Sequence, residues 1–186
     1  ADYRIELMMF DLDYRCALVC SDNAVVNWVA GVRYARIDQT LEATYQFSGT
    51  TTVSSAIDFD GIGPRVGLDS QYRICGGLYG YAQGFLELLG GQWPASSVEQ
   101  NVFTGNLGET SITSNRVTPV LELEIGAGWQ SSSGNLRLSG GYYVGTWFNT
   151  VTMTGLSSAI TATNFTTNGN NFRDTTVFDG LVIRGE

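Results

Sequence analysis

The chain has 186 residues and a net charge of −8, with 18 acidic residues against 10 basic ones, all Arg, and no His. The acidic balance excludes a basic nucleic-acid interface, and the absence of His removes the usual general base and most zinc sites. Only 15% of residues are charged, against about 25% in a typical soluble domain, which indicates that part of the surface does not face water.

Apolar and polar residues alternate along almost the whole chain, which predicts a single all-β domain over 1–186. The segments of about 10 to 14 residues exceed ordinary soluble strands and suit strands that span a membrane. In the last segment the alternation changes phase near Gly180, which predicts a bulge. In chain order the segments are MFDLDYR, NWVAGVRYA, IGPRVGLDSQY, GLYGYAQGFLELL, VTPVLELEIGAGW, NLRLSGGYYVGTWFN and TVFDGLVIRGE.

The connections between the segments alternate in length. We predict short turns at 16–24, 73–77 and 131–135, and longer connections at a hairpin tip, 47–52, and at polar loops 91–115 and 151–174. Outer-membrane barrels combine tight periplasmic turns with longer external loops, and in bacteria their strand count is even. The pattern therefore predicts an antiparallel up-and-down transmembrane β-barrel of about eight strands. The eighth strand is expected before Asp2, and further residues are expected after Glu186.

If the apolar face of each strand meets lipid, the other face lines a lumen that carries both signs of charge. Two interpretations stay open for these charges. They form ion pairs that fill a narrow barrel, or they line a water-filled lumen and tune the permeation of small solutes. The predicted lumen-lining charged residues are Asp11, Asp13, Arg15, Arg33, Arg65, Asp69, Glu87, Glu122, Glu124 and Arg137.

Glu122 and Glu124, in the stretch LELEIGAGWQ, could be taken for a catalytic carboxylate pair. Glycoside hydrolases place their carboxylates about 5–9 Å apart on opposite sides of the substrate, whereas residues two apart on one strand point the same way. We therefore predict that both glutamates face inward toward arginines such as Arg137 on the next strand. No enzymatic activity, cofactor or metal is expected.

Aromatic residues near the ends of the apolar faces predict two interfacial bands, as lipid-facing barrels have. The alternative is the ordinary preference of aromatic residues for strands. The predicted interface aromatics are Tyr14, Tyr34, Tyr72, Trp129 and Phe148.

The three cysteines all lie at predicted short turns. Cys75 could form a disulfide with Cys16 or Cys20 in an oxidising compartment such as the periplasm. Free thiols remain an alternative, and so does a C-x3-C metal site, although the chain offers no His and only one distant third Cys.

Five segments resemble a known family: VRYARIDQTL, DFDGIGPRVGLDSQYRICGGLYGYAQG, RVTPVLELEIGAGWQ, LRLSGGYYVGTWFN and FDGLVIRGE. Together they are similar, over roughly 28–186, to the pore-forming outer-membrane proteins of the Legionella major outer-membrane protein type, in their planctomycete-type form. The resemblance implies an outer-membrane β-barrel with a pore, longer at the N-terminus, and without cofactor or enzymatic activity.

The sequence therefore predicts a porin-like or structural protein of the bacterial outer membrane. Its expected partners are outer-membrane lipid, a small permeating solute, and a second copy or another envelope protein, but no nucleic acid. The alternative is a secreted β-sandwich that acts as an adhesin or carbohydrate-binding module, with its apolar face buried between two sheets. Such a sandwich would purify without detergent.

Overall fold

A computed structural model describes residues 1–46, 49–156 and 173–185, and most of them lie in seven β-strands. The predicted hairpin tip at 47–52 and the predicted loop at 151–174 fall partly outside the described residues. The strands are β1 Asp2–Cys20, β2 Ala24–Gln46, β3 Thr50–Arg73, β4 Leu78–Asn101, β5 Gly105–Gln130, β6 Arg137–Thr150 and β7 Asp174–Gly185.

All seven strands belong to one antiparallel sheet in which each strand pairs with its neighbours in sequence. The predicted all-β, up-and-down architecture is therefore confirmed. The described residues add one helical turn, at 153–156, after β6. Among them, no helix is both long and apolar enough to cross a membrane.

The connections do not alternate between short and long as the sequence predicted. At the turn end, short segments at 21–23, 74–77 and 131–136 join the strands. Gly76 and Gly134 have φ of 59° and 75° there, a backbone conformation that glycine adopts without steric cost. At the hairpin end, β2 joins β3 through 47–49 and β4 joins β5 through 102–104, which are as short as the turns, so that only the connection between β6 and β7, 151–173, is long.

The polar stretch 91–115 is not the loop that its composition predicted. β4 runs on to Asn101 and β5 starts at Gly105, so that Gln92 pairs with Asn115 and the connection shrinks to 102–104. Inward side chains such as Trp93 and Ala95 alternate with polar ones in this stretch. The ladder pairs the backbone groups, and water can solvate the polar outer face. The predicted turn at 16–24 is likewise shorter, because β1 continues to Cys20.

The bulge expected at Gly180 is absent, since Gly180 pairs with Tyr143 in unbroken register. The irregularity lies at the start of this strand pair, between Phe148 and Thr150. Asn149 has a φ of 59° there and donates through its side chain to the Val117 carbonyl. β7 therefore keeps one phase, and Arg184 lies on the inward face.

The sheet curls until side chains from distant strands touch across its interior. Arg33 on β2 contacts Glu122 on β5 at 2.6 Å, and the rings of Phe59 on β3 and Trp147 on β6 lie 6.1 Å apart. A buried apolar cluster, the apolar plug, fills the hairpin-end half of this interior. Its members are Ala35, Ile37, Ile57, Phe59, Leu89, Trp93, Ala95, Val120, Trp147, Val151, Met153 and Leu156.

The outer face is apolar near the turn end and polar toward the hairpin end. On β3 the outward residues run from Tyr72 through Leu68 to Ile62, all exposed, and Asp60 and Asp58 follow. The apolar stretch thus covers 62–72, close to the roughly 9–11 residues that a tilted strand needs to cross a bilayer. The long strands carry the sheet beyond this band into a polar zone.

β1 and β7 are the two edges of the sheet, and no pairing joins them among the described residues. Both edges run from the hairpin end toward the turn end, so direct pairing would be parallel. One further strand between β1 and β7, antiparallel to both, would continue the alternation of strand direction. The eighth strand stays a prediction.

Candidate functional site

Six ionisable side chains, the charge cluster, meet in the interior below the apolar plug. Arg33 is at its centre: Nη1 donates to Glu122 at 2.6 Å and to Glu87 at 2.9 Å, and Nη2 donates to Asp11 at 2.6 Å. The second arginine, Arg65, lies beside it. The charge cluster comprises Asp11, Asp13, Arg33, Arg65, Glu87 and Glu122.

Arg65 links the same carboxylates from the neighbouring strand. Its Nε donates to Glu87 at 2.8 Å and its Nη2 lies 3.4 Å from Glu122, while Nη1 donates to Asp13. The guanidinium carbon also lies 3.5 Å from the centre of the Phe85 ring, a cation–π contact. Each arginine therefore bridges three strands or more.

The centre of the charge cluster is buried, Asp11 lies exposed at its edge, and the cluster contains more carboxylates than guanidinium groups. Arg33 is 3% exposed and Glu87 2%, and four carboxylates face two guanidinium groups. Buried charges are tolerated when they are paired and hydrogen-bonded, and here nearly every polar atom has a partner. The Asp13 Oδ1 atom is the exception in the described part of the cluster.

Glu122 and Glu124 face inward as predicted, but their partners differ from the expected one. Glu122 also accepts from the Tyr143 hydroxyl at 2.5 Å. Glu124 accepts from Tyr81 at 2.8 Å and from Arg184 Nη2 at 2.8 Å. The prediction that Arg137 pairs with these glutamates is wrong, because its side chain extends toward β3 and β4.

Toward the turn end, the interior opens into a polar mouth cavity of about 460 Å³. Here Arg15 Nη1 lies 3.7 Å from Asp69 Oδ2. Arg137 donates to the Tyr79 hydroxyl at 2.7 Å and to Gln71 Oε1 at 2.9 Å. The cavity is lined by Arg15, Asn27, Asp69, Gln71, Tyr79, Tyr81, Gln83, Arg137, Ser139 and Arg184.

Inward glycines provide the space for the large side chains. A Cβ at Gly126 or Gly141 would collide with the Tyr81 hydroxyl, and one at Gly145 with Tyr143. These tyrosines are the ones that hydrogen-bond the two glutamates. The glycines of β5 and β6 thus help to position the acceptors of the interior network.

The apolar plug closes the other end of the interior with stacked aromatic rings. Phe59 stacks on Trp93 at 4.6 Å between ring centres, and Trp93 Nε1 donates to Thr118 at 3.2 Å. Buried Val151 and Met153 come from the segment that follows β6. That segment therefore folds into the interior and packs against the strands.

The predicted charged residues all lie on the inward face, and the structure brings six of the ten together in the charge cluster. The predicted interface aromatics lie on the outer face: Tyr14, Tyr72, Trp129 and Phe148 are exposed, and Tyr34 is partly exposed. Their contact with lipid stays a prediction.

Cys16, Cys20 and Cys75 carry free thiols in the structure, so the disulfide also stays a prediction. In the described part of the chain, no three acidic or thiol side chains are grouped as metal ligands would be.

Sequence reasoning missed Arg184 and gave no role to Tyr143. The expected bulge at Gly180 obscured the phase of β7, although an unbroken alternation from Phe178 would have placed Arg184 inside. Tyr143 lies an even number of positions from Arg137 and Gly141 and therefore shares their inward face. This alternation could have placed Tyr143 in the interior from the sequence.

Comparison with known proteins adds one family. The family model described as Legionella pneumophila major outer membrane protein precursor matches residues 4–177. Among curated proteins, none matches the chain. The family match covers all but the ends of the chain, and it agrees with an antiparallel sheet that is apolar outside and charged inside. The chain therefore belongs to the Legionella major outer membrane protein family and is a protein of the bacterial outer membrane.

Proposed function

We propose that this protein is a structural β-barrel of the outer membrane whose interior does not conduct solutes. One observation carries the proposal: the interior is filled at two successive levels, by the charge cluster and by the apolar plug. At the first level Arg33 reaches Glu122, and at the second Phe59 reaches Trp147. Small barrels of about eight strands have interiors that side chains can fill.

Both levels oppose passage for different physical reasons. An ion moving through the charge cluster would have to displace guanidinium–carboxylate contacts of 2.6–2.9 Å. A hydrated solute would then meet Leu89, Trp93 and Trp147, which are fully buried and whose only polar side-chain groups are the two indole N–H groups. Stripping water from a polar solute without replacement costs several kcal/mol.

A second candidate function is porin-like passive diffusion of small solutes. It is favoured by a polar cavity of about 550 Å³ beside the charge cluster, which adjoins the mouth cavity through Arg15 and Arg184. For diffusion across the membrane, the segment with Val151 and Met153 would have to leave the interior.

The proposed partner of the outer apolar band is outer-membrane lipid, because so many of its large side chains are exposed. Leu86, Ile125 and Leu181 are 59%, 69% and 83% exposed, and such a surface would be unfavourable in water. Among the described residues the edges β1 and β7 have no strand beside them, and their backbone hydrogen-bonding groups could pair with a further strand, a second copy or another envelope protein. No catalytic role is proposed for Glu122 or Glu124.

Planar-bilayer recording of the full chain tests the proposal. Folding and insertion are first verified by protease protection and by the heat-dependent mobility of the protein on SDS gels. A sample that passes both checks is expected to leave the membrane current at its baseline over the applied voltage range. Regular ohmic steps from the wild-type protein would overturn the structural proposal and favour diffusion.

A matched pair of variants links the result to the plug. Trp147→Ala removes a fully buried ring, whereas Trp28→Ala removes a ring exposed on the outer face. If the wild-type protein gives conductance steps, and Trp147→Ala enlarges these steps while Trp28→Ala does not, the solute path runs through the interior.

A further inference from the structure

We propose that the mouth cavity binds a small oxyanion, with inorganic phosphate as the representative ligand. The site goes beyond the structural function, because it needs only access from the turn end and no passage through the protein. Its elements are a cavity of about 460 Å³ and three inward arginines, of which Arg15 pairs loosely with Asp69 and Arg184 pairs with Glu124, while Arg137 contacts neutral partners.

Charge is unevenly distributed along the interior. The side chains that line the mouth cavity include Arg15, Arg137, Arg184 and the acid Asp69. Glu124 lies next to the cavity, paired with Arg184, so three guanidinium groups stand against two carboxylates. In the charge cluster the balance is reversed, with four carboxylates against two guanidinium groups. The turn-end mouth is therefore locally positive although the chain as a whole carries −8, and a concave positive site raises the local concentration of anions.

Arg137 is the central residue of the proposed site. Its partners are neutral: Nε donates to Tyr79 and Nη2 donates to Gln71. The Tyr79 ring also lies 4.5 Å from its guanidinium carbon. These contacts hold the group in place without cancelling its charge. An anchored guanidinium is well suited to bind phosphate or carboxylate oxygens.

The other two arginines complete the positive wall. Arg15 is more than half exposed and only loosely paired, at 3.7 Å from Asp69. It can therefore turn toward a ligand at little cost. Arg184 is engaged by Glu124 but still borders the cavity, and the Tyr81 hydroxyl lies 3.5 Å from its Nη1. The remaining lining is polar and includes Gln83 and Ser139, which can donate hydrogen bonds.

Titration calorimetry with inorganic phosphate tests the site in the refolded full chain. The protein is held in a maltoside detergent, which contributes no phosphate. Saturable binding of one phosphate per chain is expected, with competition by sulfate. A second titration adds phosphatidylglycerol to the phosphate-loaded protein, to distinguish a lipid headgroup from free phosphate as the ligand. Displacement of phosphate would indicate that the lipid headgroup binds the same arginines.

Variants at three arginines test whether phosphate binds in the mouth cavity. Arg137→Gln removes a charge-assisted hydrogen bond and should weaken phosphate binding about tenfold or more, while Arg137→Lys should restore part of the affinity. Arg15→Gln changes an exposed side chain, so its fold is not at risk, and it should also weaken binding. Arg36→Gln is the control, because Arg36 is exposed on the outer face beside Asp38.

The affinities of the wild type and the variants for phosphate support or overturn the proposal. Loss of affinity in the two mouth variants, with Arg36→Gln unchanged, supports the oxyanion site. Absence of saturable binding to the wild-type protein overturns the proposal. So does equal affinity in the wild type, Arg15→Gln and Arg137→Gln. Bilayer conductance does not enter this test, so the structural proposal and the oxyanion site can fail separately.

Discussion

Replacing Arg33 should destabilise the protein far more than replacing any exposed arginine. Arg33 is 3% exposed and contacts three carboxylates, those of Asp11, Glu87 and Glu122. In Arg33→Met a shorter, unbranched apolar side chain replaces the guanidinium group, so the charge is lost. Two buried carboxylates, Glu87 and Glu122, are then left with Arg65 as the remaining arginine of the charge cluster, together with the more exposed Asp11 and Asp13.

The expected magnitude follows from the cost of an uncompensated buried charge. Removing one partner of a buried ion pair typically costs about 3–5 kcal/mol, so we expect Arg33→Met to lower the free energy of unfolding by about that amount. The matched control is Arg36→Met, whose ion pair with Asp38 is exposed on the outer face. Exposed pairs contribute about 0–1 kcal/mol.

A double substitution separates lost charge balance from lost packing. Arg33→Met with Glu122→Met removes one charge of each sign and restores the original excess of negative charge in the cluster. We expect the double variant to be more stable than Arg33→Met alone, because apolar replacement of a whole buried ion pair is often neutral. If the loss of packing and not of charge balance destabilised Arg33→Met, adding Glu122→Met would lower the free energy of unfolding further.

Urea unfolding in detergent micelles, followed by tryptophan fluorescence, measures these differences. The unfolding midpoints should rank the wild type and Arg36→Met together at the top, Arg33→Met at the bottom and the double variant between them. The reasoning about the charge cluster would be refuted if Arg33→Met were as stable as Arg36→Met.

Two further predictions concern the glycines and an acidic pair on the outer face. Gly141→Ala places a Cβ against the Tyr81 hydroxyl and the Ile125 carbonyl, whereas Gly180→Ala meets nothing within 4 Å. Urea unfolding should therefore show a loss of about 1–3 kcal/mol for the first and little change for the second, and similar stabilities would contradict the packing argument. Asp58 lies opposite Asp38, and burial, followed by this neighbouring carboxylate, raises the pKa of Asp58 above its ordinary value. Because the folded-state pKa is the higher one, wild-type stability should fall as pH rises from the ordinary Asp pKa through the raised one. Asp58→Asn should remove that fall and stabilise the protein by about 0.2–1 kcal/mol above this window but not below it; a gain of equal size at pH 3 and pH 7 would count against the mechanism.

The long strands and the face of each inward charge were predictable because alternation has a strict period of two. Asp11 and Asp13 on β1, or Glu122 and Glu124 on β5, need no knowledge of their neighbours to be placed on one face. The ends of the strands were harder to predict. Polar composition at 91–115 indicated a loop, but a ladder that extends beyond the apolar band can carry polar side chains on a solvated face.

Partners across the interior were not predictable from spacing. Arg137 is on the strand next to Glu124, yet Glu124 pairs with Arg184 on β7, and Arg33 reaches Glu122 from three strands away. Such contacts depend on how far the sheet curls and on which inward glycines make room for Tyr81 and Tyr143. Local sequence does not encode the curl at any single position.

The sequence by itself determined that this is an all-β protein with an apolar outer face and a charged inner face, because side-chain alternation is a local property of each strand. It also determined the family, through blocks of residues in a characteristic order. Only the tertiary structure decided that the interior is filled at two levels and that a positive mouth remains below them. The physical reason is that these features arise when side chains from strands distant in sequence meet inside one curled sheet.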